Sequence, residues 1–186
     1  MMKRVLLLGD SIRMSYRARV AEELEGSADI IGPNENCRFS AYTLFNLSSW
    51  MGDQEYDIIH WNNGQWDTCY MPDGKIHTPL ESYLELQERI AVVLKERTDR
   101  LVFATTTPVW PEMFGNVTIN PRKNDDIDRY NSEVTELMQN LGVEVNDLHS
   151  AVSADIKRYI CDDMVHLRPE GVELCADQVV NAITSS

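Results

Sequence analysis

The feature of this sequence that most constrains its fold is a regular alternation of short apolar runs with longer amphipathic segments. The apolar runs are rich in Val, Ile and Leu and are too short for helices, which is typical of strands buried on both faces. The longer segments carry apolar residues every three to four positions, which predicts helices. This order predicts an α/β fold in which helices cover both faces of a parallel sheet.

The alternation divides the chain into five strands and five helices. The predicted strands are Arg4–Leu8, Ala28–Ile31, Tyr56–Trp61, Arg100–Thr105 and Val143–Asn146. The predicted helices are Met14–Glu25, Ala41–Met51, Pro79–Arg97, Asp125–Leu141 and Pro169–Ile183. Two irregular segments, Asp67–Thr78 and Pro108–Asn124, follow the third and fourth strands. We expect them to form walls of a substrate pocket, because open α/β sheets bind ligands at this edge.

The length of 186 residues suits one domain, which we expect to span residues 1–186. No stretch approaches the ~20 apolar residues of a membrane span, so we expect no membrane association. The apolar run Val5–Leu8 has a basic start but is too short for a secretory signal, which needs ~7–15 apolar residues. We interpret it as a buried strand and expect a cytoplasmic protein.

The chain is acidic, with 17 basic and 30 acidic residues and a formal charge of −13. This charge repels phosphate backbones, so no nucleic-acid partner is expected and a neutral substrate fits better. The four cysteines, Cys37, Cys69, Cys161 and Cys175, form no CxxC pair and have no histidine at zinc-ligand spacing. We expect free thiols and no metal.

Two short motifs carry the chemistry. Gly9-Asp10-Ser11 directly follows the first strand, where a serine hydroxyl at a helix start lies beside exposed backbone N–H groups. Asp163-Met164-Val165-His166 precedes the last helix, and a carboxylate three residues before a histidine can orient the base that a serine nucleophile needs. The alternatives are an ordinary turn with a helix cap and a surface Asp-His pair. Asp162 is the neighbouring alternative to Asp163.

Gly-Asp-Ser after the first strand and Asp-x-x-His before the last helix resemble the SGNH (GDSL-type) hydrolases, in particular their carbohydrate O-acetylesterases. The resemblance spans nearly the whole chain, with looser support from residues 104–109, 124–131 and 145–148. It implies a three-layer α/β/α, flavodoxin-like domain with a five-stranded parallel sheet. It also implies Ser11, His166 and Asp163 as catalytic residues, with no cofactor.

In that family the oxyanion hole uses the N–H of the serine, a glycine N–H after the second strand and an asparagine side chain after the third. Here Cys37 takes the position of the glycine, and its backbone N–H could still donate. The asparagine block reads Asn62-Asn63-Gly64, and either asparagine fits, with Asn62 preferred. The alternatives are a buried thiol and a simple turn.

The candidates for substrate binding are Asp10, Arg13, Trp66 and Trp110. Trp66 and Trp110, together with Trp61 and Tyr70, could stack on a sugar ring. The alternative is that these aromatic side chains pack beneath the loops. Arg13 and Arg38 orient the site or form exposed ion pairs. Three histidines are set aside as bases: His60 lies inside a strand, His77 in an irregular segment, and His149 has no nearby nucleophile signature.

The leading hypothesis is a serine esterase that hydrolyses O-acyl, chiefly O-acetyl, esters on a carbohydrate through an acyl-enzyme. An O-acyltransferase, a lipase or a thioesterase would use the same chemistry. A non-enzymatic flavodoxin-like binding module is the alternative from another class. Phosphate-binding glycine loops and the Gly-x-Ser-x-Gly elbow of α/β-hydrolases are both missing from the sequence. The oligomeric state is left open.

Overall fold

The computed structural model describes residues 2–116 and 120–185. Five strands form one parallel sheet: β1 (Lys3–Leu8), β2 (Ala28–Ile31), β3 (Ile58–Trp61), β4 (Leu101–Ala104) and β5 (Glu144–Asn146). The strand order is β2-β1-β3-β4-β5, and β1 is bonded in register to β2 on one side and to β3 on the other. This is the flavodoxin-like order, and the predicted α/β fold class with its five-stranded parallel sheet is confirmed.

Five longer helices follow the strands: α1 (Ser11–Glu23), α2 (Ser40–Met51), α3 (Leu80–Lys95), α4 (Asn124–Asn140) and α7 (Pro169–Thr184). Two short helices, α5 (Leu148–Ser153) and α6 (Ile156–Tyr159), and a 3₁₀ turn at Pro111–Asn116 were not predicted. The sequence does contain a signal for both short helices, since Asp147 and Asp155 cap them by accepting from the amides of Ser150 and Arg158.

Alternate side chains of the strands point to opposite faces of the sheet, so the core has two layers. Val5 and Leu7 of β1 pack with α1, α5 and α7 on one face. Leu6 and Leu8 pack with α2, α3 and α4 on the other. Strands covered on both faces must be apolar throughout, which explains the continuous Val, Ile and Leu runs of the sequence.

The first helix begins three residues before its predicted start at Met14. Oδ1 of the preceding residue, Asp10, accepts a hydrogen bond from the amide of Ile12 at 2.9 Å, so this side chain caps the helix. Ser11 therefore occupies the first turn of α1, just after β1, which lies between β2 and β3 in the sheet. Every other helix and strand boundary lies within two residues of the predicted one.

The first irregular segment, Asp67–Thr78, carries an isolated antiparallel bridge between Tyr70 and Ile76. Residues 117–119 of the second, Pro108–Asn124, lie outside the described residues. All four cysteines are free thiols. In the part of the chain that the structure describes, no helix combines the length and the apolar character needed to cross a membrane.

Candidate active site

Ser11 and His166 meet at the carboxyl edge of the sheet, although 155 positions separate them in the chain. Nε2 of His166 lies 3.0 Å from the hydroxyl oxygen of Ser11, which is a hydrogen-bond distance. Nδ1 of the same ring lies 2.6 Å from Oδ2 of Asp163. The structure thus brings together the three residues that the two motifs predicted.

The carboxylate of Asp163 is held by the turn to which it belongs. Its Oδ1 accepts hydrogen bonds from the backbone amides of Val165 at 3.0 Å and His166 at 2.9 Å. Burial raises the pKa of Asp163, but these hydrogen bonds and the one from the imidazole outweigh it and keep the pKa below its ordinary value. The carboxylate is therefore ionised near neutral pH and favours the tautomer in which Nδ1 of His166 carries the proton.

The buried side chain of Met164 anchors this turn to the protein core. The backbone of Met164 has φ = 80°, in the left-handed region that residues with a side chain seldom adopt. Its side chain is fully buried in a small cluster with Val109, Ile127 and Val165. Its carbonyl accepts a hydrogen bond from the amide of Trp110 at 2.9 Å. Packing and this hydrogen bond offset the backbone strain and fix the turn that orients His166.

Asp162, the alternative acid, is directed away from the histidine. Its carboxylate forms an exposed ion pair with Arg168. The geometry therefore favours Asp163, as the spacing did.

A cavity of about 260 Å³ opens beside Ser11. Its lining consists of the three residues above and five others: Asn36, Trp66, Asn120, Arg122 and Val165. Trp66, a predicted substrate contact, does line the cavity and leaves part of its ring accessible. Trp110 does not line it; this side chain packs against the core on the α1 and α7 face.

The prediction that Cys37 donates from its backbone N–H is wrong, because that group is already used. The amide of Cys37 donates to the carbonyl of Gly9 at 3.0 Å, which ties the loop after β2 to the turn before the serine. The thiol is completely buried beside Arg13. Asn36, the preceding residue, faces the cavity instead.

The two asparagines of the third motif have separate surroundings. Nδ2 of Asn63 donates to the carbonyl of Arg38 at 3.1 Å and to the hydroxyl of Thr43 at 2.9 Å, so this amide ties the chain after β3 to the start of α2 and the loop before it. Asn62 instead lies against the Gly9 backbone, so closely that a Cβ on Gly9 would be 1.9 Å from Oδ1 of Asn62. Of the two amides, Asn62 is the one beside the serine turn.

Arg13 and Asp10, predicted to bind substrate, are structural residues instead. The Arg13 side chain is 1% exposed and donates to the carbonyls of Pro33, Gly9 and Glu35 at 2.9, 3.2 and 2.7 Å. Asp10 is fully buried, and burial raises its pKa despite its hydrogen bond to the amide of Ile12. The sequence could not separate these roles, because a charged residue next to a catalytic motif looks the same in either case.

The remaining aromatic and basic candidates, Trp61, Tyr70 and Arg38, make contacts within the protein. Trp61 is buried and donates to Gln87, and the hydroxyl of Tyr70 donates to Asp126 at 2.8 Å. Arg38 stacks its guanidinium over the ring of Tyr42, 4.7 Å from the ring centroid. These residues lie outside the lining of the cavity.

The three histidines that we set aside lie away from Ser11. His60 is completely buried beside Nδ2 of Asn146, and burial lowers its pKa to about 4. His77 stacks on Phe39 with ring centroids 4.5 Å apart, and Nε2 of His149 lies 3.0 Å from a carboxylate oxygen of Asp128.

One cluster of carboxylates among the described residues brings three possible metal ligands together: Glu23, Glu173 and Asp177. It is exposed and lies on the outer surface of α1 and α7. Arg19 is 3.1 Å from Glu23 and 2.9 Å from Glu173, so an arginine already compensates the charge. The cluster is an ion-pair network rather than a metal centre.

Sequence reasoning missed Asn36, Asn120 and Arg122 as cavity residues. Asn120 and Arg122 belong to the irregular segment after the fourth strand, which was predicted as a pocket wall without naming its side chains. Nothing in the local sequence distinguishes Arg122 from a surface arginine, since its position depends on a hydrogen bond to the distant carbonyl of Gln65.

No protein-family profile matches the sequence. The chain is 31% identical over 117 residues to the GDSL esterase/lipase CPRD49 of Arabidopsis thaliana, a match that covers 58% of this chain and 45% of that relative. The matched region thus spans less than half of the relative's length.

Solved structures share the fold at low sequence identity. An acetyl xylan esterase, AlAXEase, superposes with a TM-score of 0.81 at 16% identity, covering 97% of this chain and 99% of that one. A lipase/acylhydrolase from Enterococcus faecalis superposes with a TM-score of 0.77 at 16% identity, covering 98% and 95%. The chain thus shares its fold with these two enzymes and, over part of its length, its sequence with a GDSL esterase/lipase.

Proposed function

We propose that this chain is a serine esterase that hydrolyses O-acyl esters, with O-acetyl groups on a carbohydrate as its substrate class. The observation that carries the proposal is the continuous relay from Ser11 through His166 to Asp163, with separations of 3.0 and 2.6 Å, at the edge of a small cavity. A serine hydroxyl needs such a base to become a nucleophile at neutral pH. A non-enzymatic binding module has no use for this arrangement.

The reaction proceeds in two steps, acylation of Ser11 and hydrolysis of the acyl-enzyme. In the first, Oγ of Ser11 attacks the ester carbonyl carbon while Nε2 of His166 takes the hydroxyl proton. The tetrahedral intermediate collapses, and His166 returns this proton to the departing alcohol. In the second step a water molecule attacks the acyl-serine, gives its proton to His166, and releases the carboxylic acid as Ser11 regains its hydrogen.

Asp163 supports both steps without exchanging a proton. Its negative charge, 2.6 Å from Nδ1, stabilises the imidazolium that forms each time His166 accepts a proton. The hydrogen bonds from the amides of Val165 and His166 keep this carboxylate in place and ionised. Asp163 thereby orients the base and compensates its charge.

The oxyanion would be stabilised by the N–H of Ser11 and the side chain of Asn62. Ser11 is in the first turn of α1, where backbone N–H groups have no partner within the helix. Asn62 packs on the turn before Ser11 and is a hydrogen-bond partner of Asp10 there, whereas Nδ2 of Asn63 already makes two hydrogen bonds away from this turn. A donor of this kind contributes about 3–4 kcal/mol to transition-state stabilisation.

The size of the cavity favours a small acyl group. About 260 Å³ accommodates an acetyl group with part of a sugar. Trp66 offers a partly exposed ring for stacking on a sugar. The shared fold with an acetyl xylan esterase supports the same substrate class.

Water access favours hydrolysis over acyl transfer to another hydroxyl. The side chains of His166 and Asp163 are 51% and 50% exposed, so water reaches the base. An acyltransferase has to keep water away from its acyl-enzyme, which this open site does not do.

The test is hydrolysis of p-nitrophenyl acetate by Ser11→Ala. We expect the wild type to turn the ester over and the variant to lose at least about 10³-fold in kcat/KM. Ser15→Ala is the matched control, because Ser15 lies on the same helix, is exposed, and only bonds the carbonyl of Ile12. A fluorophosphonate should label the wild type and the control but not Ser11→Ala. Turnover retained by Ser11→Ala would overturn the mechanism.

A further inference from the structure

The cavity beside Ser11 contains one arginine, Arg122, which the proposed reaction does not use. Arg122 is partly buried and belongs to the segment between the 3₁₀ turn and α4. The acyl transfer described above needs a base, an acid and oxyanion donors, and no step of it requires a guanidinium. Its presence in the lining therefore calls for a separate explanation.

Two backbone carbonyls hold the guanidinium of Arg122 in place. Nε donates to the carbonyl of Gln65 at 2.7 Å, and Nη1 donates to the carbonyl of Asn120 at 2.7 Å. Gln65 is itself fixed, because its side-chain amide is buried and donates to the carbonyl of Thr107 at 2.7 Å. The planar group is thus oriented before any ligand arrives, which lowers the entropic cost of binding.

The positive charge of this group is not neutralised by a contact. None of the ion pairs between described residues involves Arg122, although Arg19, Arg100 and Arg168 all have carboxylate partners. Its two hydrogen bonds go to neutral carbonyls, and Nη2 has no hydrogen-bond partner within the described residues. Burial lowers the pKa of Arg122, with weaker opposing effects from Cys69, Asp10 and Asp163.

We infer that Arg122 binds a carboxylate on the substrate, so that the preferred ester is an O-acetyl group on an acidic sugar. Arginine presents parallel N–H donors that match a planar carboxylate, and the free Nη2 arm supplies one of them here. The cavity holds Ser11, Trp66 and Arg122 together. One ring can therefore stack on the tryptophan while its ester faces the serine and its acid group faces the arginine.

This inference rests on the proposed esterase function and refines its substrate. The formal charge of −13 repels anions at long range, which suggested a neutral substrate. Repulsion between exposed charges is screened beyond about 8 Å at physiological salt, whereas a direct contact in a partly buried site is screened much less. The overall charge and a local preference for one carboxylate are therefore compatible.

The experiment compares two substrates that differ only in this charge. Acetate release is measured from O-acetylated methyl glucuronoside and from its glucuronamide, in which an uncharged amide replaces the carboxylate. We expect the wild type to prefer the acid by about tenfold or more in kcat/KM, as a hydrogen bond to a charged group predicts. A wild-type ratio at or below one would overturn the inference, whatever any variant does.

The variants then assign the preference to this residue. In Arg122→Gln the acid-to-amide ratio should fall to near one, and in Arg122→Lys it should be intermediate, because the charge remains and the fork is lost. Taking a ratio cancels any general loss of activity that follows from moving the segment. Arg89→Gln is the matched control for net charge, since Arg89 is an exposed residue of α3; its ratio should equal that of the wild type. A ratio unchanged in Arg122→Gln would overturn the inference.

Two outcomes separate the role of Arg122 from the esterase activity of Ser11. If p-nitrophenyl acetate is hydrolysed through Ser11 but the acid is not preferred over the amide, the esterase proposal stands and the role of Arg122 is refuted. If Ser11→Ala keeps its activity, the esterase mechanism itself fails, and with it the inference.

Discussion

Asp163 binds the imidazole of His166 with one carboxylate oxygen and the backbone amide of the same residue with the other, at 2.6 and 2.9 Å. The acid therefore holds both the ring and the main chain of its partner. These two hydrogen bonds leave the imidazole ring little freedom to rotate away from Ser11. It also means that the role of the charge can be tested with a nearly isosteric change.

Asp163→Asn should fold normally and lose about 10³–10⁴-fold in kcat, because an amide can favour the wrong tautomer and cannot compensate the imidazolium. The measurement is hydrolysis of p-nitrophenyl acetate. Asp162→Asn is the matched control: this neighbour is exposed and pairs with Arg168, an interaction of about 0–1 kcal/mol, so its activity should stay close to that of the wild type. Equal losses in the two variants would contradict the assignment.

Gly9→Ala should reduce both stability and activity. A Cβ at this position would lie 1.9 Å from Oδ1 of Asn62 and 2.8 Å from Cβ of Arg13, so the turn before the serine has to move. Overpacking of this kind costs about 1–3 kcal/mol. Urea unfolding and kcat should both report the change.

Gly26→Ala serves as the comparison for that glycine. A Cβ there meets nothing within 4 Å, and the only cost comes from its positive φ of 77°, about 1 kcal/mol. We expect a small loss of stability and an unchanged kcat. If Gly9→Ala also kept its kcat and lost little stability, the close contact between Gly9 and Asn62 would not matter for activity.

Arg13→Met should lower the free energy of unfolding by about 2–4 kcal/mol. It keeps the apolar stem but removes the donors to the carbonyls of Pro33, Gly9 and Glu35, and each buried group left unpaired costs about 1–3 kcal/mol. Arg17→Met is the control, since Arg17 shares the Pro33 carbonyl but is more exposed. A stability equal to that of the wild type would show that Arg13 is not the structural residue described above.

Asp67 makes stability depend on pH. It is completely buried next to Ser40, and burial raises its pKa to about 6 from the ordinary 3.8. A raised pKa means that the folded state prefers the protonated acid, so this stabilisation is complete below 3.8 and is lost as the pH rises through about 6. At about 1.4 kcal/mol per pH unit, the loss amounts to about 3 kcal/mol.

Asp67→Asn should remove this dependence. Relative to the variant, the wild type should lose about 3 kcal/mol of unfolding free energy between about pH 3 and about pH 8, as followed by urea denaturation. Comparing the two proteins cancels the other carboxylates, which titrate in both. Curves that stay parallel over this range would mean that the buried acid does not titrate there.

The sheet and the positions of the candidate catalytic residues were predictable for the same reason, since both leave a pattern in the local sequence. A strand covered on two faces has to be apolar throughout, as Leu6 and Leu7 illustrate by packing on opposite sides. The sequence also located Ser11 and His166, because the end of a strand and the start of a helix are visible as patterns.

What the sequence did not reveal depends on contacts between distant segments. Whether the amide of Cys37 is free is decided by Gly9. Whether Arg13 meets a substrate is decided mainly by two carbonyls of the loop after β2, those of Pro33 and Glu35. Arg122 reaches the cavity only because its segment folds back over Gln65. No pattern of spacing or composition encodes these partners.

The 155 positions between Ser11 and His166, the proposed nucleophile and base, have a consequence during synthesis of the protein. A nascent chain exposes Ser11 early, yet this serine remains an ordinary alcohol until the segment with His166 has left the ribosome and docked beside it. Partial chains and truncation products should therefore be chemically inert toward esters. On the proposed mechanism, esterase activity would therefore appear only after these two segments have packed together.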